Sequence, residues 1–137
     1  MIVVDTNVWS ELTRPNPSPI VRRWEAEHAD ELWISTIVLA ELRGGIGLMP
    51  EGHRRSTLLE QIEAIAEIYA DRILPFGEAE TRSYAAVLIS AKQAGKPVMS
   101  ADAMIAATAH AQGMAVATRD VAGFAGTGIS LINPWDA

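Results

Sequence analysis

The chain has 137 residues, of which 49% are apolar, with no cysteine and a formal charge of −6 at pH 7. That length suits a single domain, residues 1–137, built on one core. The lack of cysteine excludes disulfides and thiolate metal sites, and the acidic balance argues against a general polyanion-binding surface, so any nucleic-acid substrate must be engaged locally. No apolar run approaches the roughly eighteen residues that a membrane span needs, and no basic, cleavable leader opens the sequence, so a cytoplasmic protein is expected.

Residues 2–5 read as a short buried strand, followed by a helix over 6–12 that stops at Pro15, Pro17 and Pro19. Ser18 has the character of an N-cap, with Pro19 at the first helical position of a helix reaching about residue 28. A second strand covers 32–34. Ser35 or Thr36 then caps a helix to about Met49, broken by Pro50 and Gly52. Leu58, Ile62, Ile65 and Tyr69 recur at helical spacing over 54–70. A third strand is expected at 72–76 and a helix at 78–94, ended by Gly95. Ser100 caps the next helix, which ends at Gly113; strand 115–118, a glycine-rich turn and a last strand over 129–132 complete the chain. Strands separated by helices imply right-handed crossovers and a parallel sheet, hence a three-layer α/β/α domain with five strands and six or seven helices.

On that topology four acids converge. Asp5 and Asp120 follow strands, Glu41 lies early in the helix leaving strand 32–34, and Asp102 opens the helix that returns to strand 115–118. All four therefore fall at the carboxyl edge of the sheet, where open α/β folds place their ligands. Clustered carboxylates repel, and a hard divalent cation with oxygen ligands is the natural compensation. Each acid also has an ordinary reading. Asp5 and Asp120 are good cap residues, and Asp102 suits the positive end of a helix dipole. Glu41 resists such a reading, because it interrupts the stripe Ile37, Ala40, Gly44, Gly45 and Leu48. Thr6, Asn7, Ser100 and Thr118 supply short polar groups that orient carboxylates or act as caps. The histidines His28, His53 and His110 are not read as ligands, and the four scattered tryptophans are read as packing residues rather than base-stacking ones.

The same residues carry a family resemblance. Ile2-Val3-Val4-Asp5-Thr6-Asn7-Val8, Ser35-Thr36-Ile37-Val38-Leu39-Ala40-Glu41-Leu42-Arg43-Gly44-Gly45, Arg72-Ile73-Leu74-Pro75-Phe76, Ser100-Ala101-Asp102-Ala103-Met104-Ile105-Ala106-Ala107, Val116-Ala117-Thr118-Arg119-Asp120 and Asn133-Pro134-Trp135 occur in order. Together they make the chain resemble PIN-domain ribonucleases, specifically the VapC-type toxins of toxin–antitoxin pairs near the FitB branch. The resemblance implies a PIN fold and Mg²⁺ or Mn²⁺ held by Asp5, Glu41, Asp102 and Asp120. It also implies RNA cleavage by metal-activated water. Asp5 and Asp102 are assigned as central ligands, Glu41 as ligand or base and Asp120 as a ligand. It further implies a homodimer and a small VapB- or FitA-like antitoxin whose tail enters the groove. Some members carry Asn at the last motif position and a later Asp before a Phe; here that later position is Gly123, so Asp120 must serve.

Two other phosphate-handling folds fail on order. A receiver-like domain needs an acidic pair after the first strand, and here Lys96-Pro97 precedes two of the acids. A haloacid-dehalogenase-type phosphatase wants Asp at position 7, which is Asn7. A non-catalytic PIN-like module that binds RNA or an antitoxin-type partner is the alternative from another class, and it has no need of four acids.

Overall fold

Strand β1 (Ile2–Val4) is the centre of a five-stranded parallel sheet in the computed structural model, which describes residues 1–137. It is followed by α1 (Thr6–Leu12), α2 (Pro19–Glu27), β2 (Leu32–Ser35), α3 (Thr36–Gly47), α4 (His53–Ile68) and β3 (Ile73–Leu74). Then come α5 (Glu78–Ala94), α6 (Ser100–Gln112), β4 (Ala115–Ala117), α7 (Val121–Phe124) and β5 (Leu131–Ile132). The three-layer α/β/α fold is the one the alternation of elements predicts.

The strand order is β3-β2-β1-β4-β5. Val3 pairs with Trp33 on one side and with Val116 on the other. All three β1 residues are buried, which is why this strand is a continuous apolar run instead of alternating. From β1 the chain winds outward through β2 to β3, then returns to the other side of β1 for β4 and β5. The reversal opens a crevice beyond the carboxyl ends of β1 and β4. Behind it, α6 packs on β1 and β4 and along α5, while α3 packs on α1, α4 and β2. The buried side chains of α6 include Ala103, Ala106, Ala107 and Ala109, so this helix seats closely with little side-chain entropy to lose. No helix is long and apolar enough to cross a membrane.

Several boundaries differ from expectation for identifiable reasons. The third strand covers only Ile73–Leu74. Arg72 ends a tight 3-10 turn over Ala70–Arg72, from which its Nη1 donates to the carbonyls of Ala29 at 2.6 Å and Leu32 at 3.2 Å, and Pro75 has no N–H to extend the ladder. Ser18 precedes Pro19 as expected but makes no side-chain capping bond. Ser35, not Thr36, caps α3, accepting from Val38 N at 3.1 Å. Ser100 does not cap α6. Met99 holds the cap position and Ser100 is the first helical residue, exposed to solvent. The glycine-rich turn contains α7, and the last strand is only Leu131–Ile132.

Candidate active site

Asp5, Glu41, Asp102 and Asp120 line one open groove of about 620 Å³. The sheet places two of them. Asp5 extends the β1 ladder by donating its N–H to the Ala117 carbonyl at 2.9 Å, and Thr118 continues β4 by donating its N–H to Ile132 at 2.9 Å. Asp5 and Thr118 thus stand side by side at the crevice. The Thr118 hydroxyl donates to Asp5 Oδ2 at 2.7 Å, and Thr6 N donates to Asp5 Oδ1 at 2.8 Å. Asn7 Nδ2 reaches both Asp5 Oδ2 and Thr118 Oγ1 at 3.2 Å. Asp5 caps α1 and faces the groove at once, so its two readings are compatible.

The other acids are held differently. Glu41 accepts from the Thr6 hydroxyl at 2.8 Å. Its stripe on α3 is not a buried one: Ala40, Glu41, Gly44, Gly45 and Leu48 are exposed, while Val38, Leu39, Leu42 and Ile46 face the core. The small residues beside Glu41 therefore keep the groove floor low instead of packing inside. Asp120 caps α7 by accepting from Gly123 N at 3.0 Å, and its own N–H donates to Thr118 Oγ1 at 3.0 Å. A Cβ on Gly123 would lie 2.3 Å from Asp120 Oδ2, so glycine is what lets this carboxylate sit here. Asp102, in the first turn of α6, receives no side-chain hydrogen bond or ion pair, and its carboxylate is free toward the groove.

Electrostatics follow from this arrangement. Burial, then the charges of Asp5, Asp120 and Glu41, push the Asp102 carboxyl from 3.8 to about 6. Asp5 is also raised, chiefly by its burial, with Glu41 and Asp120 adding to it and the bonds from Thr118 and Thr6 opposing it. The donor set is all carboxylate oxygen, the chemistry of a hard divalent cation. No three acidic or histidine side chains are drawn together tightly enough to hold an ion as they stand. Repulsion and separate hydrogen bonds keep the carboxylates apart, so the cluster foreseen from the sequence is looser than a finished cage.

Thr6, Asn7 and Thr118 join the acids' network, whereas Ser100 makes no hydrogen bond to it. The histidines stand elsewhere: His28 on Trp24 O and His110 on Ser83 Oγ, with His53 opening α4. No local pattern marks Trp135 as lining the groove, nor Arg14, Arg54 and Arg119 or the apolar Leu42, Ile46, Met49, Leu58 and Ile62 that join it there. Helical spacing marked Leu58 and Ile62, but nothing local shows that α3 and α4 open a gap between them.

The PIN domain family profile matches residues 2–128. The VapC ribonuclease Y4jK of Sinorhizobium fredii is 44% identical, with 99% of each chain covered. The toxin FitB of Neisseria gonorrhoeae is 40% identical, covering 98% of this chain and 99% of that protein. The crystal structure of FitAcB from Neisseria gonorrhoeae superposes with a TM-score of 0.92 at 40% identity over 100% of both chains.

Proposed function

This chain belongs to the PIN-domain family, and from that premise we propose that it is a metal-dependent endoribonuclease, the toxin of a toxin–antitoxin pair. The observation that carries the reading is the groove itself: four carboxylates from distant parts of the chain, with Asp5 and Asp102 both raised from their ordinary value by burial and by neighbouring acids, and Asp102 left unbonded. Asp5, Asp102 and Asp120 are the residues to hold Mg²⁺ or Mn²⁺, with Glu41 as a further ligand or as a base. Once bound, the ion supplies charge neutralisation at the phosphate and activation of water for in-line attack. Thr118, Thr6 and Asn7 fix the Asp5 carboxylate, and Thr6 fixes Glu41, so neither acid has to search for its orientation. The open groove admits an extended strand.

The regulatory partner fits the same groove. Beside the acids, the half-buried Met49 and Leu58 offer an apolar wall, backed by the buried Leu42, Ile46 and Ile62. A small antitoxin tail with apolar side chains and a cation would fill that wall and neutralise the acids. A second copy of the chain is assigned to the outward stripe of α5, where Thr81, Ala85, Leu88, Ile89 and Lys92 are exposed at helical spacing.

The test is cleavage of cellular RNA by the purified chain with Mg²⁺ or Mn²⁺, with chelator, and by Asp5→Asn. Cleavage that needs metal and is abolished in a folded D5N protein is the expected result. A D5N protein that cuts as well as the parent refutes the site. A parent that binds RNA or antitoxin but never cuts leaves the non-catalytic module.

A further inference from the structure

Three arginines line the groove, and their charges are not equally available. Arg14 Nη1 lies 3.5 Å from Glu11 Oε1, so its charge is largely spent on an acid within the same groove. Arg54, exposed on the first turn of α4, has no carboxylate within ion-pair distance, but it stands on a helix that contributes none of the four acids. Arg119 immediately precedes Asp120, yet no carboxylate lies within ion-pair distance of it. Its guanidinium carbon instead sits 4.9 Å from the centre of the Trp135 ring.

Magnitudes make this arrangement informative. For a solvent-exposed arginine an ion pair nets no more than a cation–aromatic contact, because side-chain ordering and screening offset most of the Coulomb attraction. The Trp135 face therefore competes with the acids on equal terms. The backbone helps set the outcome: Arg119 N donates to Asn7 Oδ1 at 3.2 Å, and Asp120 N donates to Thr118 Oγ1 at 3.0 Å. These bonds fix the segment so that Asp120 caps α7 while the Arg119 side chain leaves toward Trp135. Trp135 is held in turn, its N–H donating to Asn133 Oδ1 at 3.0 Å beside the buried Pro134. The result is a positive group in an acidic groove that has not been neutralised, with its planar N–H edge unpaired.

We infer that Arg119 is the RNA-holding cation that adjoins the four acids, taking a backbone phosphate oxygen of the strand as it enters the acidic site, and that Trp135 is the positioning residue that keeps the guanidinium off the carboxylates. The inference rests on the ribonuclease reading and deepens it. A chain of charge −6 meets a polyanion only through local cations. A guanidinium already stacked on an aromatic face presents its fork to phosphate with little further ordering.

The experiment uses the full chain with Mn²⁺ and a fluorescein-labelled, mixed-sequence single-stranded RNA of about twenty nucleotides, enough to cover several single-strand sites. KM and kcat are measured across a KCl series for the parent, R119Q, R119K, W135F and W135L, with thermal melts for each. R119Q is expected to raise KM about tenfold, the loss of one charge-assisted bond. Its log–log salt dependence should be shallower by about 0.7, as for one lost phosphate contact on a single strand. R119K should fall between R119Q and the parent, since charge remains but the fork and stack are lost. W135F should stay near the parent, and W135L should raise KM with no change in formal charge. Parental KM and salt slope in R119Q overturn the inference, as does a loss confined to kcat. Parental RNA kinetics with weakened hold on a co-expressed antitoxin also overturn it, by assigning the cation to the protein partner. Should R119Q melt early, the order of W135F, W135L and R119K decides the matter. A parent that neither cuts nor binds RNA refutes the ribonuclease reading itself, whereas an active parent with an indifferent R119Q refutes only this inference.

Discussion

Asp102→Asn separates the electrostatic account of the site from a purely structural one. In the folded chain Asp102 titrates at about 6 against an ordinary 3.8, because it is half-buried and faces Asp5, Asp120 and Glu41. The folded state thus binds this proton more tightly than the unfolded state. The ionised group therefore costs stability above pH 6, and that cost is recovered as pH falls from 6 toward 3.8. At full strength the difference is about 3 kcal/mol. Solvent reaches a good part of the carboxylate, and screening reduces the expected share to ~1 kcal/mol. Asn keeps the shape and removes the charge, and no hydrogen bond to Asp102 is lost. In chelator at pH 8 the variant should melt about 3–4 °C above the parent, given the unfolding entropy of a chain this size. By pH 3.5 the two should coincide. Added Mg²⁺ or Mn²⁺ should raise the melting temperature of the parent and leave the variant nearly unmoved, reversing their order. Scanning calorimetry over pH, with and without metal, reads both effects. A variant less stable than the parent at pH 8 in chelator, or an equal metal response in both, refutes the reasoning.

Thr118→Val removes the hydroxyl that donates to Asp5 and accepts from Asn7 and Asp120; a loss of about 2 kcal/mol is expected in urea titration. That loss should be larger at pH 8 than at pH 4, because the charged form of Asp5 is the one left unsatisfied. In Gly123→Ala the new Cβ meets Asp120 Oδ2 at 2.3 Å. The displaced cap costs about 1 kcal/mol and alanine's helix propensity returns a similar amount, so stability should barely change. Mn²⁺ affinity by calorimetric titration should nevertheless fall; an unchanged affinity removes Asp120 from the ligand set. If the proposed α5 dimer forms, Leu88→Asp places a charge in its exposed stripe and should give a monomer where the parent scatters light as a dimer, with a melting curve like the parent's; a monomeric parent refutes the assignment.

How far the sequence reached depended on the range of the interaction. The order of strands and helices was legible because apolar periodicity and glycine or proline stops are local. Gly95 and Gly113 end α5 and α6 in the left-handed conformation their positions call for. The four acids stood out in the sequence because each occupied a place where an acid is costly or conspicuous. Glu41 was singled out for an inexact reason: its stripe is largely exposed, with Glu41 and Gly45 bordering the groove, and is not interior. Periodicity marks a face and does not say what covers it. Ser100 shows the same limit, since a serine at the first helical turn looks like a cap whether or not its hydroxyl turns inward.

The sequence by itself determined the fold class and the family and singled out the four candidate acids, because these rest on local pattern and on motifs in order. Only the tertiary structure decided what surrounds those acids. The reversal of strand order at β1 brings Thr118 within 2.7 Å of Asp5 across more than a hundred residues. Chain closure sets Trp135 under Arg119, and the packing of α3 with α4 builds the apolar wall. Charge balance and hydrogen bonding between distant segments depend on distances in space, and those exist only once the sheet has assembled.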